Sequence, residues 1–444
     1  MPKTNYDYVA IVNAVNNEMN GLYAYEFPIV TASTFKAMAA AFVNVPQNVK
    51  NAYIDTLRNI MCNTVIKKVY RASNPFKFLY REDSALTGDG EQYVQEVSID
   101  RFVPLAYEID GNPERFFKSA PPKVKVQYLC NVLRKKYVVT LNSFMLQPAF
   151  KSLEAFGRMW DETTARLYAD MEEDDKEEIM AALDAVVEGG NIRLIPATRP
   201  KDSPTALEFS KMMDVISRDL SFKRSRDFNL NHLSTKTAEE DAVLIVAGDV
   251  TATQNAYNLA WAFNRGFLEL LKSGQMIVTD SNGLADNKVF AVYTDRDFFR
   301  IHPVTGFPLL KTWENGDNLE EKRWLHSWKM VNFSYSSNAV AFTEPENIGV
   351  ATVEILDLSG EKAGSVKKGK WMQLGLPKVT PVEGKICDCF VNYTISGQTS
   401  KNTRIDEDGT LYVAEDETGE TITITGTSHL DPSKKATYTV TVTD

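Results

Sequence analysis

The stretch Thr421-Ile-Thr-Ile-Thr425 alternates isoleucine with threonine, and Val391-Asn-Tyr-Thr-Ile395 and Tyr438-Thr-Val-Thr-Val442 repeat the same period of two. Alternation of β-branched or aromatic residues with polar ones is typical of antiparallel strands that bury one face. No helical stripe interrupts this pattern between residues 346 and 444. These last residues are therefore predicted to form a separate all-β sandwich.

The residues before this module mix helical and strand patterns, which predicts an α+β body. A helix is predicted over about 148–188, where apolar residues recur at spacings of three, four or seven. Buried strands are predicted at 242–247, 275–279 and 289–293. The first 67 residues read as short helical turns interrupted by asparagine-rich breaks at Asn13, Asn16, Asn17 and Asn20.

A strongly acidic run lies within the predicted long helix. Seven of the nine residues from Asp170 to Glu178 are acidic. Such a run could indicate a cation site, but acids distributed around a helix more often form a face exposed to water. A solvated helix face is therefore predicted here.

Residues from about 74 to 119 have the pattern of a long projecting loop. Asn74-Pro75 begins an extended segment, Thr87-Gly-Asp-Gly90 can turn, and Tyr93-Val-Gln-Glu-Val-Ser-Ile99 returns as an alternating strand. Its many acids make it too polar to bury within its own subunit, so the cost of ordering it must be recovered elsewhere. Long ordered insertions are usually functional. A functional projecting hairpin or loop is therefore predicted, with its turn at Thr87-Gly-Asp-Gly90.

No motif for catalysis, metal binding or cofactor binding is found. There is no nucleophile elbow and no phosphate-binding loop, although an acid pair of the glycosidase type stays open. Cys387 and Cys389 share a strand face and are predicted to be small buried or half-buried residues. Asp406-Glu-Asp-Gly409 lacks the rest of a calcium loop and is predicted to be a hairpin turn. The histidines are scattered, with no pair at metal-ligand spacing: His232, His302, His326 and His429.

Length and composition restrict the class of protein further. A chain of 444 residues predicts two or three domains. Its net charge of −10 argues against a dedicated nucleic-acid binder. Four cysteines are too few for a disulfide framework and favour a reducing compartment. The N-terminus lacks the pattern of a signal peptide and no long apolar run occurs, so the chain is expected to stay in the cytoplasm where it is made.

Several stretches, in this order along the chain, carry a family resemblance: Asn74-Pro-Phe-Lys-Phe78, Ser225-Arg-Asp-Phe-Asn229, the segment 289–299 and Ser337-Asn-Ala-Val-Ala-Phe342. They resemble the major capsid proteins of phi29-like short-tailed bacteriophages, which have the HK97-like capsid fold. The pattern from Val366 to Thr425 is similar to the bacterial Ig-like group 2 (BIG2) domain that members of this group carry. The resemblance rests on order and spacing, since none of these stretches is a catalytic signature.

The resemblance implies a layout in four parts: an N-terminal arm (1–70), an extended β-hairpin loop (71–120), a peripheral and axial capsid core with its spine helix near 148–188 (121–345), and an Ig-like domain of the BIG2 type (346–444). It also implies a function. The chain would be a major capsid protein that self-assembles into an icosahedral or prolate shell around the phage double-stranded DNA, with the Ig-like domain displayed outside. It would need no cofactor, and Gly88, Asp89 and Gly90 of its extended loop would contact a neighbouring subunit.

The implied partners are copies of the chain in hexamers and pentamers, a scaffolding protein during assembly, a portal or connector, packaged DNA bound non-specifically, and host surface polymers at the Ig-like domain. The expected location is the virion capsid, assembled in the bacterial host cytoplasm. Truncation after Phe342 is expected to leave assembly intact. The alternative is an Ig-tailed surface-binding protein or a carbohydrate-active enzyme, which the missing export signal and missing active-site motif disfavour.

Overall fold

The computed structural model describes residues 8–22, 26–31, 74–81, 94–101, 123–142, 165–222, 224–258, 274–280, 283–315 and 320–443, with a few more between 34 and 57. The chain divides into two compact units. Unit 1 comprises 1–90, 132–179 and 302–330, and unit 2 comprises 91–131, 180–301 and 331–444. Within the part of the chain described, no helix is long and apolar enough to cross a bilayer.

The described helices are α1 (Tyr8–Leu22), α2 (Arg166–Glu188), α3 (Ser203–Phe222) and α4 (Gly248–Asn258). The described strands of the body are β1 (Val94–Ile99), β2 (Val124–Leu129), β3 (Val132–Asn142), β4 (Arg193–Pro196), β5 (Ala242–Val246), β6 (Gln275–Val278), β7 (Val289–Asp295), β8 (Phe299–Pro303), β9 (Leu309–Asn315), β10 (Glu320–Phe333) and β11 (Ala339–Thr343). Those of the C-terminal module are β12 (Val350–Glu354), β13 (Ala363–Lys367), β14 (Trp371–Gln373), β15 (Lys378–Pro381), β16 (Val391–Ser396), β17 (Arg404–Ile405), β18 (Thr410–Tyr412), β19 (Thr421–Ser428) and β20 (Lys435–Thr443).

In unit 1, the asparagines of the N-terminal segment lie inside helix α1, so the prediction that they break the helix is wrong. Asn13, Asn16 and Asn20 are spaced by three and four residues and therefore share one helix face. Asn13 exchanges two hydrogen bonds of 2.8 Å with the backbone of Val30, and Asn16 donates to the carbonyl of Pro28 at 2.7 Å. The side-chain amides therefore form hydrogen bonds with backbone groups of the extended segment 26–31.

Helix α2 covers the C-terminal part of the predicted long helix, and residues 143–164 lie outside the described residues. Its apolar residues Leu167, Tyr168 and Met171 pack on Leu325 of strand β10. Strand β10 pairs antiparallel with both β3 and β9. Helix α2 thus packs on this sheet, and the contact forms one hydrophobic core of unit 1.

The acidic run on α2 was predicted to be a solvated face, but part of it is buried. Glu172 and Asp175 are 3% and 5% exposed. Asp175 is in ionic contact with Lys329 of β10, and Glu178 lies 3.3 Å from Lys329 and 2.9 Å from Lys135 of β3. Since the lysines come from strands far away in sequence, spacing along the helix could not reveal them. The prediction of a solvated face is therefore wrong for the side of α2 that carries Glu172, Asp175 and Glu178.

In unit 2, a five-stranded mixed sheet has the order β4-β11-β7-β5-β6. Every residue of β5 is buried, as expected for a central strand. Phe209 and Met213 of α3 pack on Leu244 of β5, Phe290 of β7 and Phe342 of β11. The strands predicted at 242–247, 275–279 and 289–293 are confirmed as β5, β6 and β7.

The C-terminal module is all β over residues 350–443, as predicted. Its four-stranded sheet has the order β13-β20-β19-β16, and a three-stranded sheet has the order β14-β18-β17. Leu411 from the smaller sheet packs with Ile422, Ile424 and Tyr438 from the larger one. Gly409 has φ +77° and donates to the carbonyl of Asp406 at 3.0 Å, which confirms the predicted hairpin turn between β17 and β18.

One buried carboxylate of this module, that of Glu417, connects the segment 399–403 to the segment 417–419 by hydrogen bonds. Glu417 is 1% exposed and accepts hydrogen bonds from the Thr399 amide (2.8 Å), the Thr403 hydroxyl (2.6 Å) and the Gly419 amide (2.9 Å). Burial alone would raise the pKa of Glu417, but these hydrogen bonds outweigh it and lower the pKa to about 2. The carboxylate therefore stabilises the module above its ordinary pKa of 4.5, and this stability is lost as the pH falls through 2.

We expect Glu417→Gln to lower the local stability of the module by about 2 kcal/mol, because an amide cannot accept all of these bonds. Hydrogen exchange of β18 and β19 at pH 7 measures the loss. Glu420→Gln, at an exposed position three residues away, is the control and should change little. Equal exchange in both variants would contradict the role assigned to Glu417.

Candidate assembly surface

The predicted contact residues Gly88, Asp89 and Gly90 lie outside the described residues, so their role stays a prediction. The structure does describe strand β1, which confirms the strand predicted at 93–99. Its antiparallel partner is β2, on the far side of the predicted loop boundary at residue 120. The pair β1–β2 is called the stem below.

One face of the stem is apolar and exposed. Val97 lies opposite Val126, and Ile99 opposite Val124, so these four side chains point to the same side. Their exposed fractions are 53%, 45%, 58% and 45% in that order, and Tyr128 on the same face is 62% exposed. A contiguous apolar surface of this kind marks an interaction site more often than a free surface. We call these five residues the outward face.

The opposite face of the stem is polar and is anchored to its own unit. Glu96 accepts hydrogen bonds from Arg300 at 2.6 Å and from the Ser334 hydroxyl at 2.8 Å. Gln127, opposite Glu96 in the register, donates to the carbonyl of Phe333 and accepts from the amide of Tyr335. The stem is thus held by charge-assisted and backbone hydrogen bonds on one side, and its apolar side faces away.

A further contact fixes the end of strand β1. Asp100, 6% exposed, accepts from Arg226 at 2.7 Å and from the amide of Ser234 at 3.0 Å. Arg226 lies in the stretch 225–229, which carries part of the family resemblance, and Ser234 follows that stretch. The direction in which the chain leaves the stem is therefore set by the body of unit 2.

The residues considered for other chemistry occupy structural positions. Cys387 is buried and Cys389 half-buried, as predicted, but both lie in the loop before β16, so the prediction that they share a strand face is wrong. Burial raises the pKa of the Cys387 thiol to about 12, which keeps it protonated and unreactive. Burial also lowers the pKa of His232. Over the ranges that the structure describes, no three His, Cys, Asp or Glu side chains are placed to hold a metal ion.

The family model for the Phi29-like phage major capsid protein matches residues 12–343, a range that contains the whole stem. The chain belongs to this family. The major capsid protein of Bacillus phage PZA is 26% identical over 432 residues, covering 97% of this chain and 92% of that protein. The major capsid protein of Bacillus phage B103 is 24% identical over 412 residues, covering 92% and 88%.

Among solved structures, the capsid of Staphylococcus phage Andhra is similar, with a TM-score of 0.49 and 15% identity over 61% of this chain and 84% of that one. The family membership makes the chain a phage major capsid protein, a component of the virion that forms the capsid shell. Members of the family are structural proteins, which confirms the prediction that the chain is not an enzyme. The carbohydrate-active alternative is therefore set aside.

Proposed function

We propose that this capsid protein has the HK97-like fold and that the stem is the base of its extended loop, which covers a neighbouring copy in the shell. The observation that carries the proposal is the division of the stem into two faces. The polar face is hydrogen-bonded within the subunit, whereas Val97, Ile99, Val124 and Val126 of the outward face remain 45–58% exposed. Covering a half-exposed valine or isoleucine contributes about 1 kcal/mol, and a shell repeats such modest contacts many times.

The remaining proposals follow from the family. Residues 1–70 would form the arm, 71–120 the extended loop, 121–345 the core, and 346–444 an Ig-like domain on the outer surface that can meet host polymers. The chain would assemble in the host cytoplasm, with a scaffolding protein and a portal, into hexamers and pentamers around double-stranded DNA. The net charge of −10 supports subunits that stay soluble before assembly and hold DNA only loosely.

Shell formation is the test of this proposal. We expect the chain, expressed with a scaffolding protein, to form closed particles or tubes that electron microscopy resolves and that elute in the void volume of a sizing column. Expression without the scaffolding protein controls for unguided aggregation. A chain that stays monomeric under both conditions would overturn the proposal.

A further inference from the structure

The C-terminal module is docked on the body of unit 2 through buried polar contacts. Asp388, 0% exposed, accepts a hydrogen bond from the amide of Leu194 in strand β4 at 3.0 Å. The amide of Cys389 donates to the carbonyl of Gly190 at 2.9 Å. Arg193 lies 2.8 Å from the Nε2 atom of His429. These contacts fix the position of the module relative to the central sheet.

The docked module also contacts the stem through its acidic hairpin turn. Lys125 of β2 lies 3.2 Å from the Asp408 carboxylate. Lys123, just before β2, contacts the Asp406 carboxylate directly and lies 3.7 Å from Asp408. Lys125 of the stem and Lys123 next to it thus face two carboxylates of the turn between β17 and β18.

The acidic turn is itself held rigidly. Gln373 of β14 donates to the carbonyl of Asp408 at 2.8 Å and accepts from the Thr410 hydroxyl at 2.6 Å. The amide of Thr410 donates to the Asp408 carboxylate at 3.1 Å. Lys125 also donates to the Gln373 side chain at 3.3 Å. The turn therefore presents its charges to the stem from a fixed position, which reduces the entropy lost in the contact.

The pair Lys125–Asp408 is largely withdrawn from water. The Asp408 side chain is 8% exposed and that of Lys125 is 22% exposed. Burial would raise the pKa of Asp408, but Lys125 and Lys123 outweigh it and lower the pKa. A pair in this setting is screened less than a surface salt bridge, so its loss has a measurable effect.

The position of the lysines connects this contact to assembly. Lys125 lies opposite Ser98 in the register, so it is on the anchored face, between Val124 and Val126 of the outward face. Because Lys125 lies between them on the same strand, the contact of Lys125 with Asp408 also restricts the direction in which Val124 and Val126 point. The module therefore acts on the surface that meets the neighbouring subunit.

We propose that the C-terminal module has a second function besides display: through Asp406 and Asp408 it positions the stem for contact with the next subunit. This inference rests on the proposed function of the stem. It differs from the expectation, based on sequence alone, that truncation after Phe342 leaves assembly intact. A module that was only an appendage would have no reason to bury charges against the stem.

A double-mutant cycle in the full chain tests the inference. The variants are Lys125→Met, Asp408→Asn and the two combined, and asparagine keeps the acceptor for the Thr410 amide. Hydrogen exchange of residues 94–99 and 124–129 is measured on unassembled subunits. Each single variant is expected to exchange about fivefold faster than the wild type. The combined variant should match a single one rather than show the product of about 25-fold that independent sites would give.

The matched control is Lys362→Met, which removes the lysine of a more exposed ion pair within the same module (Lys362–Glu354, 3.5 Å). It should leave exchange in the stem unchanged. Protection of β19 and β20 in every variant reports that the module stays folded. With scaffolding protein present, the three stem–turn variants should yield fewer shells than the wild type and the control.

Two results would overturn the inference: wild-type exchange in the stem of the single variants, or multiplicative effects in the combined variant. The exchange measurement uses unassembled subunits, so it stands whether or not shells form. Failure of the wild type to form shells would instead count against the proposed function.

Discussion

A chain carrying Val97→Lys and Val126→Lys is expected to remain unassembled under conditions in which the wild-type chain forms shells. The two positions are opposite each other on the stem, so the variant places two ammonium groups at the centre of the outward face. Burying ammonium groups without counter-charges against a neighbour costs several kcal/mol. A penalty of about 2.7 kcal/mol already weakens each contact about a hundredfold, and a shell repeats the contact throughout.

The same variant should still fold, because both valines are about half exposed in the subunit and substitutions at such sites usually change stability by about 0.5 kcal/mol or less each. Two like charges placed opposite each other add a further cost of up to about 1 kcal/mol. Sedimentation velocity and electron microscopy measure assembly, and circular dichroism monitors the fold. Leu358→Lys is the control, since Leu358 is an exposed apolar residue of the C-terminal module and is not part of the outward face. Shells formed by the Val97 and Val126 variant at wild-type yield would contradict the role of the outward face.

The second large effect is expected in unit 1, where Lys329→Met should lower the free energy of unfolding by about 3–5 kcal/mol. Lys329 is 4% exposed and is in ionic contact with Asp175, itself 5% exposed, and with Glu178 at 3.3 Å. Burial lowers the pKa of Lys329 to about 7, so the measurement is made at pH 6, where the ammonium group is formed. Removing that group leaves two carboxylates in a poorly solvated site with one cation fewer. The loss is large because a buried charge without its partner keeps its full desolvation cost.

Urea unfolding of the unassembled subunit, followed by tryptophan fluorescence, measures this effect. Lys136→Met is the control, because Lys136 is an exposed residue of strand β3 in the same unit and its loss should cost less than about 0.5 kcal/mol. A loss below about 1 kcal/mol for Lys329→Met would mean that the acidic face of α2 is solvated after all.

The elements predicted correctly are those whose signal is local. Period-two alternation located β16, β19 and β20, and the continuous apolar run Ala242-Val-Leu-Ile-Val246 located the central strand β5. The Asp408-Gly409 turn followed from glycine's freedom to adopt positive φ. Errors arose where a distant segment supplies the partner. Asn16 looked like a helix breaker because the Pro28 carbonyl that it binds is not apparent from spacing.

The candidate site illustrates the same limit. The alternation in Tyr93-Val-Gln-Glu-Val-Ser-Ile99 predicted a strand in a segment too polar to bury within its own subunit, and β1 does alternate. Yet within the subunit the polar side is anchored, by Arg300 on Glu96, and the apolar side is exposed. Periodicity shows that one face of the strand is apolar and favours burial. It does not show whether that face is buried by the same chain or by another. The contact with a neighbouring subunit was predicted at the turn of the loop, at Gly88, Asp89 and Gly90. The outward face lies instead on the strands β1 and β2 of the stem.

The most direct test of the account is an electron cryo-microscopy map of assembled shells in which the chain can be traced. We expect Val97, Ile99, Val124 and Val126 to lie against a neighbouring subunit and to lose most of the exposure that they have in the single chain. A map in which this face of the stem points into solvent or into the lumen of the shell would contradict the account.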